Sequence, residues 1–167
     1  MFNDVEGRYE GPTLEKRILD FWEAQDVFNR TLEAGVGRPE FVFYEGPPTA
    51  NGMPGIHHVL ARTFKDLFLR YKTMRGFHCP RKAGWDTHGL PVEHEVEKAL
   101  GIFDKRRIVL EVGVARFVEL CRASVMRYVG DWEAMTMRMG FWVDLDDAYL
   151  TMQNDYIESV WSLLKRL

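Results

Sequence analysis

The order of structural signals around residues 41–58 constrains the fold of this chain more than any other feature. An apolar, aromatic run, Phe41–Tyr44, is typical of a strand, and a loop rich in glycine and proline, Gly46–Gly55, follows it. Beyond the loop, apolar residues recur at steps of three and four, which predicts a helix with one buried face: Leu60, Phe64, Leu67, Phe68, Tyr71 and Met74. Strand, loop and helix in this order are typical of a phosphate site at a helix N-terminus.

The same order repeats immediately downstream. Gly76 is well placed to end the helix, Phe77–Asp86 is an extended run, and the loop from Asp86 to Pro91 leads into a helical pattern at 93–100. Alternating strands and helices predict a right-handed βαβ crossover in a parallel sheet, where ligands bind at the carboxyl ends of the strands. Both loops follow strands, so the sequence predicts a single crevice built from the two of them.

The first loop carries residue types suited to binding phosphate. Glycines let the backbone approach a ligand, and a helix N-terminus offers free N–H groups and the positive end of its dipole. His57 and His58 stand at the mouth of that helix, and imidazoles there can add donors to phosphate oxygens. Taken alone, however, paired histidines are more often surface or core groups, and Asp86 can equally serve as a cap for the turn before Pro91.

The other polar clusters do not have the residue spacing of a metal site. The charge balance does not predict a surface that binds RNA by itself. His88 and His94 lack the spacing of a metal-binding pair, and a calcium loop counted from Asp144 lacks its glycine and glutamate, so we expect an acidic turn before a helix there. Basic residues at 70–82 and 105–107 are more often solvated than bound to a nucleic acid. With 22 Lys and Arg against 25 Asp and Glu, any RNA contact must be local.

The rest of the chain predicts packing helices. Leu14, Ile18, Phe21 and Trp22 define an amphipathic helix expected to pack on the sheet, and a long helical pattern runs from about 114 to 139. A short strand or extended turn is expected at 141–143, before a final helix. No apolar run reaches the 18 residues or so of a membrane span, so we expect a cytoplasmic protein with Cys79 and Cys121 as reduced thiols.

Three segments taken together resemble the isoleucyl-tRNA synthetases, a family of class I aminoacyl-tRNA synthetases. They are Gly46–Gly52, Arg62–Asp66 and Arg81–Glu93, and they follow one another in the order and spacing of that family. The stretch Trp85–Pro91 is more similar to the isoleucine enzymes than to the valine, leucine or methionine relatives. The resemblance runs nearly end to end through the chain.

The resemblance implies an α/β fold, part of a Rossmann-like, HUP-type nucleotide-binding fold with parallel strands and packing helices, which is incomplete here. Residues 1–167 are expected to form the N-terminal part of a catalytic domain. Within it we expect an N-terminal helix and loop at 1–40, a βαβα core with both site loops at 41–100, and a helical extension at 101–167 that leads towards an editing insertion.

The same resemblance implies a reaction and its partners. The family activates L-isoleucine with ATP to the adenylate and passes the acyl group to tRNA(Ile). Gly46 and Pro47 are then expected against the amino acid, with Asp86 receiving its ammonium group. ATP is expected at Asn51, Gly52, Gly55, His57 and His58, the two histidines acting in catalysis. Mg²⁺ is implied by the nucleotide chemistry without identified ligands, zinc is not expected in this segment, no membrane is involved, and the full enzyme is expected to be monomeric.

One departure from the family pattern concerns the histidine signature. The usual order is His, any residue, Gly, His, whereas this chain has Gly55, Ile56, His57 and His58, so that the first His and the Gly are exchanged. A side chain at the usual glycine position is expected to obstruct the nucleotide. The exchange keeps two histidines and one glycine, which favours a compensated variant as the hypothesis.

The family's second signature, a Lys-Met-Ser-Lys-Ser loop that supplies lysines to ATP, is absent from these 167 residues. The sequence therefore predicts a fragment that is inactive alone. Two alternatives stay open beside the synthetase interpretation: another nucleotidyltransferase with a related histidine signature, and a non-catalytic synthetase-derived fragment or interaction module.

Overall fold

The computed structural model describes residues 9–167, so residues 1–8 of the expected N-terminal segment lie outside the described residues. Three strands form one sheet in the order β1-β2-β3, and both strand pairs are parallel. The strands are β1 (Phe43–Tyr44), β2 (Arg81–Trp85) and β3 (Asp144–Leu150). The helices are α1 (Gly11–Ala24), α2 (Val27–Glu33), α3 (Ile56–Met74), α4 (Leu90–Leu100), α5 (Lys105–Arg107), α6 (Val114–Arg138) and α7 (Asn154–Leu164), with a π-helical turn at Ile108–Val112. This arrangement confirms the predicted α/β class with parallel strands.

β3 lies inside the segment that was expected to be a helical extension. It begins after the residues 141–143 for which a short strand was predicted, and it contains the three aspartates that were expected to form a turn before a helix. Lys82 pairs with Asp144 while Gly84 pairs with Tyr149, so β3 bulges between these two points. The Asp144 carboxylate accepts the backbone N–H groups of Asp146 and Asp147 at 3.0 and 3.1 Å, which holds the bulge. The acidic turn is thus part of the strand.

The apolar face of α3 is exposed, contrary to the prediction that it is buried. Exposure along this face runs from 46% at Tyr71 to 77% at Met74. The buried residues of α3 are Arg62 and Leu69, and Leu69 packs with Ala83 in a cluster beneath the sheet. Periodicity identified an apolar face correctly, but it carries no information on which neighbouring element covers that face.

The main core lies between α6, α4 and the loops at the sheet edge. It contains Trp85, Val92, Val125 and Trp132, each nearly inaccessible. α1 contributes less than predicted, because its apolar residues stay at least partly exposed and the ring of Trp22 contacts Trp142, 5.0 Å between centroids, rather than the sheet.

Both cysteines are free thiols, as predicted, although Cys79 precedes β2 instead of lying within a strand. Among residues 9–167, no helix is both long and apolar enough to cross a membrane.

Candidate functional site

The two loops singled out from the sequence meet at the end of the sheet. The backbone N–H of Asp86 donates to the carbonyl of Pro48 at 3.0 Å, and the N–H of Ala50 donates to the carbonyl of Asp86 at 3.2 Å. Thr49 and Asp86 form a parallel bridge that extends the pairing of β1 and β2. The two loops that the sequence assigns to one site are therefore paired with each other.

Threonine hydroxyls hold the side chain of Asp86. Thr49 Oγ1 donates to Asp86 Oδ2 at 3.0 Å, and Thr151 Oγ1 approaches Asp86 Oδ1 at 3.5 Å. The helix that follows, α4, begins after Gly89 without a side-chain cap, so the capping interpretation of Asp86 is wrong. The carboxylate is half-buried and has lone pairs left for a ligand, since each of its oxygens accepts about two hydrogen bonds.

His58 closes the first turn of α3 through its ring. The ring Nδ1 of His58 accepts the backbone N–H of Gly55 at 2.9 Å. The backbone N–H of His58 donates to the carbonyl of Gly55 at 3.0 Å. Burial lowers the pKa of His58, and the charges of His57 and Arg62 lower that pKa further. An imidazole that accepts at Nδ1 carries its proton on Nε2, so His58 presents a neutral N–H donor at the helix N-terminus.

His57 lies beside His58 with 3.8 Å between ring centroids, and its side chain is exposed. A β-carbon built on Gly55 would lie 2.9 Å from His57 Cε1 and 3.1 Å from His57 Nδ1. The backbone of Gly55 is extended, with φ at −107°, so its conformation does not require glycine. Glycine at 55 leaves room for the His57 ring in its present position, and the hypothesis of a compensated exchange stays a prediction.

Two other glycines of the loop face open space. A β-carbon on Gly52 would meet no described atom within 4 Å, and one on Gly46 would meet only Lys65 Nζ, at 3.9 Å. Packing within the described residues therefore does not explain either glycine, and the space beside both is open. Pro47 and Asn51 occupy the same loop and are half-buried.

Aromatic and charged groups that the sequence did not single out anchor this loop. The indole N–H of Trp132, on α6, donates to the carbonyl of Gly52 at 2.9 Å. Lys65 pairs with the buried carboxylate of Glu45 and lies 3.4 Å from the carbonyl of Gly46. An indole N–H on a helix predicted as core needs an acceptor, and that need is the sequence signal that points to Trp132.

Arg62 lies buried beneath the loop. Its guanidinium is 5.5 Å from the ring centroids of both Trp85 and Trp132, and it donates to the hydroxyl of Thr136. Burial lowers the pKa of Arg62, and the negative charge of Glu45 opposes that shift. Arg62 thus packs against two tryptophans of the main core, Trp85 and Trp132.

Basic residues that were considered for tRNA contact are engaged within the chain. Arg81 is buried and pairs with Asp66, and Arg70 pairs with the other oxygen of Asp66 at 2.6 Å. Lys105 bonds Glu93 at 2.6 Å. These pairs favour the solvated or structural interpretation of the basic residues.

The N-terminus of α3 has groups that suit an anion. N–H groups in the first turn of a helix generally lack partners within that helix, and the ring donor of His58 lies at the same end of α3, an arrangement that suits phosphate oxygens. Among residues 9–167, no group of three or more His, Cys, Asp or Glu is placed to hold a metal ion. No ligands are therefore assigned to Mg²⁺.

Comparisons with known proteins identify the family of this chain. A family model described as tRNA synthetases class I (I, L, M and V) matches residues 17–167. Isoleucine--tRNA ligase of Streptomyces avermitilis is 54% identical over 99% of this chain and 16% of its own length, and that of Thermus thermophilus is 53% identical over 100% and 16%. The chain thus spans about a sixth of the length of these relatives.

A solved structure is similar in fold. It is the LeuRS–tRNA–LeuAMS ternary complex from Agrobacterium radiobacter K84, with a TM-score of 0.68 and 18% identity, matching 95% of this chain and 18% of the other.

Proposed function

This chain belongs to the class I tRNA synthetases of the I, L, M and V group, and from that membership we propose that it supplies part of the site that activates L-isoleucine with ATP and transfers it to tRNA(Ile). The observation that carries the proposal is the junction of the two loops, in which Asp86 pairs with Pro48 and Ala50 of the loop that leads into α3. The choice of isoleucine is supported by relatives named isoleucine--tRNA ligase at 54% and 53% identity.

In this proposal the amino acid is held by its charged group. Asp86 receives the ammonium of isoleucine on the lone pairs that Thr49 and Thr151 leave free. Gly46 and Pro47 lie along the substrate, and the open space beside Gly46 lets the backbone approach it. The isoleucine carboxylate attacks the α-phosphorus of ATP, the bond to pyrophosphate breaks, and the ribose hydroxyl of tRNA later takes the acyl group with release of AMP.

The nucleotide lies at the N-terminus of α3. His58 donates from Nε2 to a phosphate oxygen, and the positive end of the α3 dipole adds to this stabilisation. Asn51, Gly52 and Gly55 line the approach, and His57 adds a donor from its exposed ring. These groups act by positioning and charge stabilisation, and none of them needs to exchange a proton during the reaction.

The finer organisation belongs to the same proposal. Residues 1–40, 41–100 and 101–167 are taken as the opening helix and loop, the site-bearing core, and an extension that includes β3. We place the reaction in the cytoplasm and assign the whole enzyme a monomeric state.

A chimeric enzyme tests the proposal. The chain replaces its aligned segment in isoleucine--tRNA ligase of Thermus thermophilus, to which it is 53% identical over 167 residues. We expect ATP–pyrophosphate exchange that depends on isoleucine and is not supported by leucine or methionine. Exchange lost in a soluble, folded chimera, or driven equally by leucine, contradicts the proposal.

The 167-residue chain by itself provides a second test. Since no Lys-Met-Ser-Lys-Ser run occurs in it, we expect no isoleucine-dependent exchange above background. Measurable exchange by the purified chain would show that other residues replace that loop.

A further inference from the structure

Thr151, at the end of β3, connects three residues of the Asp86 loop. The residue is 4% exposed, and its backbone N–H donates to the carbonyl of Trp85 at 3.2 Å. Its hydroxyl accepts the backbone N–H of Thr87 at 2.9 Å, lies 2.6 Å from His88 Nδ1, and lies 3.5 Å from Asp86 Oδ1. No other hydroxyl among residues 9–167 is described with hydrogen bonds to three consecutive residues of the site loop.

The hydroxyl of Thr151 can donate a hydrogen bond to one acceptor only. A hydroxyl has one proton to donate and two lone pairs. The N–H of Thr87 uses one lone pair, and a His88 ring protonated at Nδ1 uses the other. The single proton of Thr151 is then left to donate, with Thr87 Oγ1 at 3.4 Å and Asp86 Oδ1 at 3.5 Å as acceptors within reach. We infer that Asp86 receives it, because a bond to a charged carboxylate is stronger than a bond to a neutral hydroxyl. If His88 instead accepted that proton, Asp86 Oδ1 would lose this donor.

Each carboxylate oxygen of Asp86 has one threonine hydroxyl within hydrogen-bond distance. Its Oδ2 already accepts from Thr49, on the glycine and proline loop, so Thr49 and Thr151 hold the carboxylate from opposite loops. A carboxylate fixed in this way presents its remaining lone pairs in a defined direction.

We propose that Thr151 is a positioning residue for isoleucine activation, whose hydroxyl, oriented by Thr87 and His88, aims the carboxylate of Asp86 at the substrate ammonium. This inference rests on the proposed function. Thr151 does not touch the substrate and acts through Asp86. Its effect therefore falls on the binding of isoleucine and spares the ATP side of the site.

The test uses the Thermus chimera and three variants. Thr151→Val keeps the shape of the side chain and removes the hydroxyl, Thr151→Ser keeps the hydroxyl, and Thr31→Val removes a hydroxyl that bonds only within α2. We expect Thr151→Val to raise the KM for isoleucine about tenfold, with the KM for ATP changed by less than about twofold. Thr151→Ser should stay within about twofold of the parent, and Thr31→Val should match it.

Three results would overturn the positioning role. They are an unchanged KM for isoleucine in Thr151→Val, an equal rise in the KM values for isoleucine and ATP, and a Ser variant as impaired as the Val variant. His88 gives a further check, because His88→Asn keeps an N–H donor near the Nδ1 position and His88→Ala does not. His88→Asn should therefore have a lower KM for isoleucine than His88→Ala. Equal KM values in these two variants would count against the orienting bond from His88.

A separate measurement on the 167-residue chain distinguishes failure of this inference from failure of the proposed function. Thr151→Val should speed amide hydrogen exchange of Thr87 at least about tenfold relative to the amide of Val125 in the core, while Thr151→Ser should not. If the parent chimera shows no isoleucine-dependent ATP–pyrophosphate exchange, the proposed function fails. Hydrogen exchange at the Thr87 amide then still tests the hydrogen bond between Thr87 and Thr151. An unchanged exchange rate for Thr87 overturns the bond to Thr151.

Discussion

A β-carbon on Gly55 would lie 2.9 Å from Cε1 of the His57 ring, so the small residue at 55 and the imidazole at 57 occupy complementary space. The sequence shows these two residue types in exchanged positions relative to the family signature, and in the structure the two positions adjoin. His58, the third member, keeps its place and closes the turn through its bond to the N–H of Gly55.

The first prediction measures this steric coupling. Gly55→Ala adds only the β-carbon, at a backbone conformation that alanine adopts freely. We expect the substitution to lower the free energy of unfolding by about 0.5–1 kcal/mol more in the parent chain than in a His57→Ala background. Urea denaturation of the four proteins in this cycle gives the coupling. Equal costs in the two backgrounds would show that the residues are independent.

The second prediction concerns activity of the exchanged signature. If the exchange is compensated, the double variant Gly55→His with His57→Gly, which restores the usual family order, should gain little. In the Thermus chimera we expect its isoleucine-dependent exchange rate to lie within about threefold of the parent. A parent without detectable activity, rescued by the double variant, would mean that the exchange is damaging.

The third prediction follows from the lowered pKa of His58, which burial causes first and the charges of His57 and Arg62 reinforce. In the unfolded chain an imidazole titrates near pH 6.5. The unfolded state therefore binds a proton before the folded state does as the pH falls. The stability that neutral His58 contributes is fully present above about pH 6.5 and is lost as the pH falls from there towards the folded pKa.

Urea denaturation between about pH 7.5 and about pH 5.5 checks this prediction. His58→Asn keeps an acceptor for the N–H of Gly55 but does not titrate, so its stability should decline less than that of the parent over this range. Parallel declines in the two proteins would exclude His58 as a source of the pH dependence.

The fourth prediction concerns Arg62. Removal of its guanidinium leaves a cavity between Trp85 and Trp132 and deprives the fully buried hydroxyl of Thr136 of a partner. We expect Arg62→Ala to lower the free energy of unfolding by about 2–4 kcal/mol. The exposed Arg30→Ala should change it by less than about 0.5 kcal/mol. Equal effects of the two substitutions would mean that Arg62 is not part of the core.

Much of the site could be predicted from the sequence because it depends on local order. The loops after β1 and before α4 were identified from glycine, proline and the alternation of elements, and parallel pairing then brings the ends of neighbouring strands together. Asp86 and the loop residues Pro48–Ala50 meet for this reason. The resemblance to one family supplied the reaction, which spacing alone does not reveal.

The features that the sequence did not predict depend on long-range contacts. Thr49 and Thr151 lie 37 and 65 positions from Asp86, and no local pattern links a hydroxyl to a distant carboxylate. Likewise, the apolar stripe of α3 predicted burial, but the sheet of this chain covers the other face, where Leu69 packs. β3 was missed because its bulge puts three aspartates in a strand, and aspartate is depleted in strands.

In the proposed site both loops act together, and Asp86 binds the ammonium of isoleucine. Isothermal titration of the Thermus chimera with a non-hydrolysable isoleucyl-adenylate analogue measures this contact. We expect binding by the parent and a Kd raised at least about tenfold in Asp86→Asn, which keeps the size of the side chain and removes its charge. Equal affinity of the parent and Asp86→Asn for the analogue would show that Asp86 does not bind the ammonium.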